Sequence, residues 1–134
     1  MKAYISLNNQ SRKTLSKELI ALGMALNGKK VEQYIFVDKF SLEEGGEKEY
    51  LIEMQRQIDS SNFLIIDGAN VHTTNCVEVG YARAKKKPIV YLRNENTAVD
   101  PILLGASNFY FTYENPKDLF DQMNEFLKQI LPQE

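Results

Sequence analysis

Apolar positions along the chain follow two rhythms. Short apolar runs occur at Ala3 to Leu7, Val31 to Val37, Phe63 to Ile66, Pro88 to Leu92 and Phe109 to Thr112. These runs predict strands. Between them the apolar residues fall every three or four positions. Leu15, Leu19, Leu22 and Leu26 form one such stripe, and Tyr50, Leu51, Met54 and Ile58 form another. Leu119, Met123, Phe126, Leu127 and Ile130 form the last. Each predicts a helix with one buried face. Asn27-Gly28 closes the first helix, and Asn115 followed by Pro116 opens the last. A further helix lies around Cys76 to Ala84, and Pro101 to Gly105 predicts a short helical turn. The alternation predicts an α/β fold. It is a three-layer αβα, flavodoxin-like domain over residues 1–134, with a mostly parallel five-stranded sheet.

The stretch from Ser60 to Asn96 organises the chain. It reads as strand, polar connection, helix and strand, a parallel βαβ unit. The connection, Asp67-Gly68-Ala69-Asn70-Val71-His72-Thr73-Thr74-Asn75, leaves a strand at its carboxyl end, where sheets of this kind bind ligands. Asp38 to Glu47, with Gly45-Gly46, predicts a solvated loop long enough to cover a site.

Composition narrows the function classes. A formal net charge of -2 gives no general attraction to nucleic acid or to an anionic membrane. No run approaches the roughly 18 to 20 apolar residues of a membrane span. One cysteine, Cys76, and one histidine, His72, make neither an internal disulfide nor a metal site of the usual kind. No cofactor is implied, and a cytoplasmic setting fits.

Glu78 is the main candidate for chemistry. It lies near a helix start beside the polar connection, where a carboxylate can serve as nucleophile or electrostatic stabiliser. The plainer reading is a capping box over Asn75-Cys76-Val77-Glu78, with Glu78 satisfying backbone donors. His72 could donate a proton or make ordinary surface hydrogen bonds. Cys76 reads more simply as a small packing residue than as a reactive thiol. Lys85-Lys86-Lys87 could bind phosphate, but sits where cations complement a helix C-terminus. Asn8, Asn9 and Ser11 are placed to meet a ribose or phosphate, or to cap the next helix.

Glu78-Val79-Gly80-Tyr81-Ala82, followed by Lys86-Lys87-Pro88 and an aliphatic strand, resembles the signature of the nucleoside 2-deoxyribosyltransferase family. Ala3-Tyr4-Ile5-Ser6 and Asp100 to Asn108 extend the likeness more weakly. The resemblance implies attack by Glu78 on the anomeric carbon of a nucleoside or nucleotide, with the base leaving to a second base or to water. It implies that Tyr4 holds the Glu78 carboxylate. It also implies a homo-oligomer, with Asp100 contributed to the neighbouring subunit's site. His72 stands where the family has an acidic residue and joins Glu78 and Tyr4 as a catalytic expectation. Ser6, Asn8, Asn9, Asp67, Asn70 and Asp100 are the expected substrate contacts. Leu7-Asn8-Asn9 replaces the family's Gly-rich first loop. A non-catalytic nucleotide-binding or signalling domain of the same fold is therefore the alternative. A weaker resemblance to TIR domains adds a second alternative, cleavage of NAD at its glycosidic bond. A receiver-like module is disfavoured, since no acidic cluster follows the first strand.

Overall fold

A computed structural model describes residues 1–131, and residues 132–134 of the expected domain lie outside it. The elements in chain order are β1 (Lys2–Ser6), α1 (Asn9–Thr14), α2 (Ser16–Gly28), β2 (Glu32–Ile35), α3 (Phe36–Lys39) and α4 (Glu47–Asp59). Then follow β3 (Phe63–Asp67), α5 (Thr73–Ala84), β4 (Ile89–Asn94), α6 (Pro101–Ala106), β5 (Phe109–Tyr113) and α7 (Pro116–Ile130). All five strands run parallel, in the order β2-β1-β3-β4-β5. This is the flavodoxin-like order, and it reverses between β1 and β3. The chain leaves those two strands toward opposite faces, which opens a crevice at their carboxyl ends.

Strand alternation divides the core in two. Ala3, Ile5, Phe63, Ile65, Val90 and Leu92 pack with Leu19, Leu22 and Leu26 of α2 and with Leu119, Met123 and Phe126 of α7. Tyr4, Leu64, Ile66, Ile89 and Tyr91 pack on the other side, against Met54 and Ile58 of α4, Val79 and Ala82 of α5, and Leu103 of α6. The inner strands are covered on both faces, which is why they read as apolar runs rather than as alternation. Among the described residues no helix is long and apolar enough to cross a membrane.

Three boundaries and one helix cap differ from the sequence pattern. The second strand ends at Ile35, and Phe36 and Val37 turn into α3. Leaving the sheet there lets Phe36 pack 6.0 Å from the Tyr4 ring and 5.1 Å from the Tyr50 ring, measured between centroids. The expected polar loop after β1 is already helical from Asn9, because the Asn8 side chain accepts the Ser11 N–H at 2.8 Å and caps α1. After α2 the left-handed position falls on Lys30, at φ 60°, two residues past Gly28. The fourth difference, the start of α5, shapes the candidate site.

Candidate active site

The site begins with β1. Tyr4 and Ser6 lie two residues apart and so share the face that α5 covers. α5 begins at Thr73, three residues before the start that the capping-box reading needs. His72 is its N-cap, and the His72 backbone N–H donates to Asn75 Oδ1 at 3.0 Å. Asn75 thus does the capping work assigned to Glu78, and the capping-box reading of Glu78 is overturned. Glu78 follows Asn75 by three positions, on the same side of the helix, and points inward.

Three side chains meet around the Glu78 carboxylate, making a cluster of four residues. The Tyr4 hydroxyl donates to Oε2. Ser6 Oγ donates to Oε1 at 2.9 Å. Asn75 Nδ2 donates to Ser6 Oγ at 3.0 Å and reaches Glu78 Oε1 at 3.4 Å. All four residues are buried, with Glu78 only 2% exposed. The network continues outward. Asn8 Nδ2 donates to Asn75 Oδ1 at 3.3 Å and to the carbonyl of Asn70, itself left-handed at φ 53°. Ser11 Oγ donates to the Ala69 carbonyl at 3.1 Å. These bonds tie the connection after β3 to the connection after β1, across the point where the strand order reverses.

Aromatic rings make the surroundings poorly polarisable. Tyr34 and Phe36 each lie 6.0 Å from the Tyr4 ring, and Phe40 lies 5.6 Å from Phe36. Burial here disfavours the carboxylate and pushes the Glu78 pKa up to about 7, against the opposing pull of the hydrogen bonds from Tyr4, Ser6 and Asn75. Tyr4 is also raised, by burial first and by the Glu78 charge second. Tyr50 is raised for the same two reasons. The phenol of Tyr4 therefore stays protonated and donates, while Glu78 changes charge near neutrality.

A cleft of about 240 Å³ opens beside this cluster. Leu7, Asn8, Asn9 and Gln10 line it from the β1 side, Phe40, Ser41, Leu42 and Tyr50 from the α3–α4 side, and His72 and Thr74 from α5. His72 and Asn9 are exposed. The structure thus gathers Tyr4 and Ser6 on Glu78, and sets Asn8, Asn9 and His72 on the wall of the cleft. The Asn70 side of the β3 connection is held against Asn8.

Two expected contacts fall elsewhere. Asp67 points to the opposite face of the sheet, where Tyr113 donates to its Oδ2 at 2.6 Å and the Ala69 N–H donates to its Oδ1 at 2.9 Å. Burial raises its pKa, and those two bonds oppose the rise. It anchors the start of the β3 connection. Asp100 is the N-cap of α6, with its Oδ1 accepting from the N–H groups of Ile102 and Leu103 at 3.0 and 3.1 Å. Cys76 is exposed rather than packed inside, because it lies two positions before the inward-facing Glu78 and so on the outer side of α5. Of the lysine run, Lys86 takes the left-handed position at φ 60° and Lys87 Nζ donates to the Asp59 carbonyl at 3.0 Å, so the run closes the helix.

The sequence pattern did not single out Asn75 as a site residue, nor the wall made by Phe36, Phe40 and Tyr50. Asn75 stands three positions before Glu78, the spacing of one helix face, which was the available signal. Gly68 was likewise unremarked. A Cβ at Gly68 would stand 2.6 Å from Cε1 of the Tyr91 ring, which is fully buried. The Tyr91 hydroxyl also accepts the Asp100 N–H at 3.1 Å, so the ring has little freedom to withdraw. Gly68→Ala is expected to cost about 1–3 kcal/mol of stability through overpacking, read as a lower urea midpoint at unchanged slope.

Comparison with known proteins agrees with this geometry at the level of the fold. No protein-family model matches the sequence, and no curated protein matches it. Solved structures do. The chain superimposes on the CMP N-glycosidase BcmB of Clostridium botulinum with a TM-score of 0.70 at 19% identity, over 95% of this chain and 100% of that one. A 2-deoxyribosyltransferase of Bacillus psychrosaccharolyticus matches with a TM-score of 0.65 at 14% identity, over 90% and 91% of the two chains. A conserved protein of Enterococcus faecalis matches with a TM-score of 0.63 at 14% identity, over 98% and 99%. The chain shares its fold with these structures, a CMP N-glycosidase and a 2-deoxyribosyltransferase among them. At these identities the likeness defines the architecture, and chemistry has to be argued from the site.

Proposed function

We propose that the protein cleaves or transfers at the N-glycosidic bond of a nucleoside or nucleotide, with Glu78 as nucleophile. The observation that carries this reading is a buried carboxylate gripped by a tyrosine, a serine and an asparagine at the point where the strand order reverses. A carboxylate so placed can trap an oxocarbenium-like sugar centre, as in retaining glycoside hydrolysis. In the first step one Glu78 oxygen bonds to the anomeric carbon while the C–N bond breaks. The bonding pair leaves with the base nitrogen, which takes a proton from His72 on the cleft wall. In the second step the oxygen of water, or the nitrogen of another base, replaces the Glu78 oxygen. Its proton returns to His72, and the carboxylate is regenerated. Tyr4 and Ser6 hold the two carboxylate oxygens, which fixes the direction of attack. Glu78 is buried, so substrate has to displace part of its cover. Asp100 caps α6, and its contribution to a neighbouring subunit's site is part of the same proposal.

The test is a product assay. The protein is incubated with nucleosides, nucleotides and NAD, and free base is followed by chromatography. Release from any of them supports the reading. The full burial of Glu78 favours a second reading, a nucleotide-binding domain without catalysis, which predicts saturable binding and no free base.

The ionisation of Glu78 gives a sharper check. The nucleophile must be charged, so kcat/KM is expected to rise with pH through about 7. The Tyr4 hydrogen bond holds the Glu78 pKa down. Tyr4→Phe is therefore expected to move that rising limb to higher pH as well as lower the rate. A slower variant with the limb unmoved would detach Tyr4 from the carboxylate's ionisation.

A further inference from the structure

The hydrogen bonds around Glu78 have a direction, and it is set outside the cluster. The Ser11 backbone N–H can only donate, and the Asn70 carbonyl can only accept. Between them they fix the Asn8 amide, with Oδ1 toward Ser11 at 2.8 Å and Nδ2 toward Asn70. The second Nδ2 hydrogen of Asn8 points to Asn75 Oδ1 at 3.3 Å. Both N–H donors of Asn8 are therefore spent within the protein. Asn75 Oδ1 also accepts the His72 N–H at 3.0 Å, so two donors from different elements hold that amide one way round. Its Nδ2 must then face inward, where it donates to Ser6 Oγ at 3.0 Å and reaches Glu78 Oε1 at 3.4 Å. An amide nitrogen donates and does not accept, so the one hydrogen of the Ser6 hydroxyl is left for Glu78 Oε1, at 2.9 Å. Tyr4 donates to the other oxygen. Every partner of the carboxyl is thus set as a donor, and a protonated Glu78 would find none of them turned to accept. Donors so arranged favour the charged form. The titratable groups that face Glu78 are the phenols of Tyr4 on β1 and Tyr50 on α4, both held protonated by burial and by the Glu78 charge.

We propose that Asn8 is a positioning residue for Glu78. Acting through Asn75, it fixes the Ser6 hydroxyl as a donor and favours the carboxylate over the acid. The connection after β1 thereby governs the charge of the side chain that attack requires. That consequence for catalysis rests on the glycosidic-bond reading above, whereas the relay itself is measured without substrate.

The experiment follows the Glu78 carboxyl by NMR of protein labelled at its glutamate carboxyls, with Glu78→Gln assigning the signal. Asn8→Ser keeps the cap on α1, because serine caps about as well as asparagine, but loses both amide donors. It removes no group that is bonded to Glu78. The expected result is an upward shift of the Glu78 midpoint by roughly half a pH unit in Asn8→Ser and about one unit in Asn75→Ala, the order set by one lost hydrogen bond. Adding Asn8→Ser to Asn75→Ala is expected to shift it no further, since the path runs through Asn75. Denaturant curves establish that each variant folds, and the Asn8→Ser shift decides alone if Asn75→Ala does not. An unmoved midpoint in folded Asn8→Ser, or an equal further shift in the Asn75→Ala background, overturns the relay. Where base is released, the rising limb of kcat/KM is expected to move with the midpoint at nearly constant KM. A raised KM with the limb unmoved would make Asn8 a substrate contact and overturn the proposal. If no substrate releases base, the glycosidic reading fails, and the titration still decides the relay.

Discussion

Replacing Glu78 by Gln is expected to lower the release of free base by at least about a thousandfold, the order of loss when a nucleophile is removed from an otherwise intact site. The amide keeps the volume of the side chain and can still accept the Tyr4 hydroxyl, but it cannot carry the charge that the developing sugar cation requires. The size of the loss distinguishes roles. A residue that only shapes the cleft would change KM with little change in kcat, whereas a nucleophile lost from the reaction lowers kcat itself. The experiment follows free base by chromatography with the wild type and Glu78→Gln, alongside a denaturant curve to show that the variant folds. Base release persisting within tenfold of the wild type in a folded variant would remove Glu78 as nucleophile. Ser6→Ala is a useful companion. It removes the bond to Oε1 at 2.9 Å but leaves the carboxylate in place, so it is expected to cost far less than Glu78→Gln and to move the Glu78 titration to higher pH.

The fold was legible because its signals are local and repeated. Five apolar runs separated by helical stripes leave few topologies for a parallel sheet, and the strand order β2-β1-β3-β4-β5 came from the structure. The misplaced boundaries are those decided by tertiary contact. Phe36 has strand character, yet it turns inward because the rings of Tyr4 and Tyr50 provide a better surface than the sheet edge does. The start of α5 was set by which polar residue reaches the His72 N–H, and the sequence contains more than one candidate at the right spacing.

The site was legible in part for a related reason. Tyr4, Ser6 and Glu78 can be grouped once β1 and α5 are known to pack together, since period two and period 3.6 then place them on facing surfaces. Asp67 shows where that reasoning needs the register. Ser6 pairs with Ile66, so Ile66 shares the Glu78 face and the next residue, Asp67, must turn away from it. A one-residue difference along β3 separates a site residue from a loop anchor on the far side of the sheet. Asp100 illustrates the complementary case, in which a carboxylate beside a Pro reads equally as a ligand contact and as a helix cap.

The same burial that tunes Glu78 has a cost in stability, and its sign can be worked out. In the folded protein the Glu78 pKa is raised from 4.5 to about 7 by desolvation. Below pH 4.5 the carboxyl is neutral in both folded and unfolded chains, and the shift has no effect. Between 4.5 and about 7 the folded chain holds a proton that the unfolded chain has released, so stability falls as pH rises. Above that window the loss is complete, on the order of 3 kcal/mol. Glu78→Gln has no proton to lose at this position. The variant is therefore expected to gain on the wild type by about 3 kcal/mol between pH 4.5 and pH 8, whatever its offset at acid pH from rearranged bonds to Ser6 and Asn75. Denaturant unfolding of the two proteins at both pH values measures the change directly, and other titrating groups cancel in the difference. A difference independent of pH would mean that Glu78 ionises in the folded protein as it does in water, which the closed aromatic surroundings argue against. A gain of the expected size would place Glu78 among residues held at a cost to the fold, the pattern of groups kept for chemistry rather than for stability.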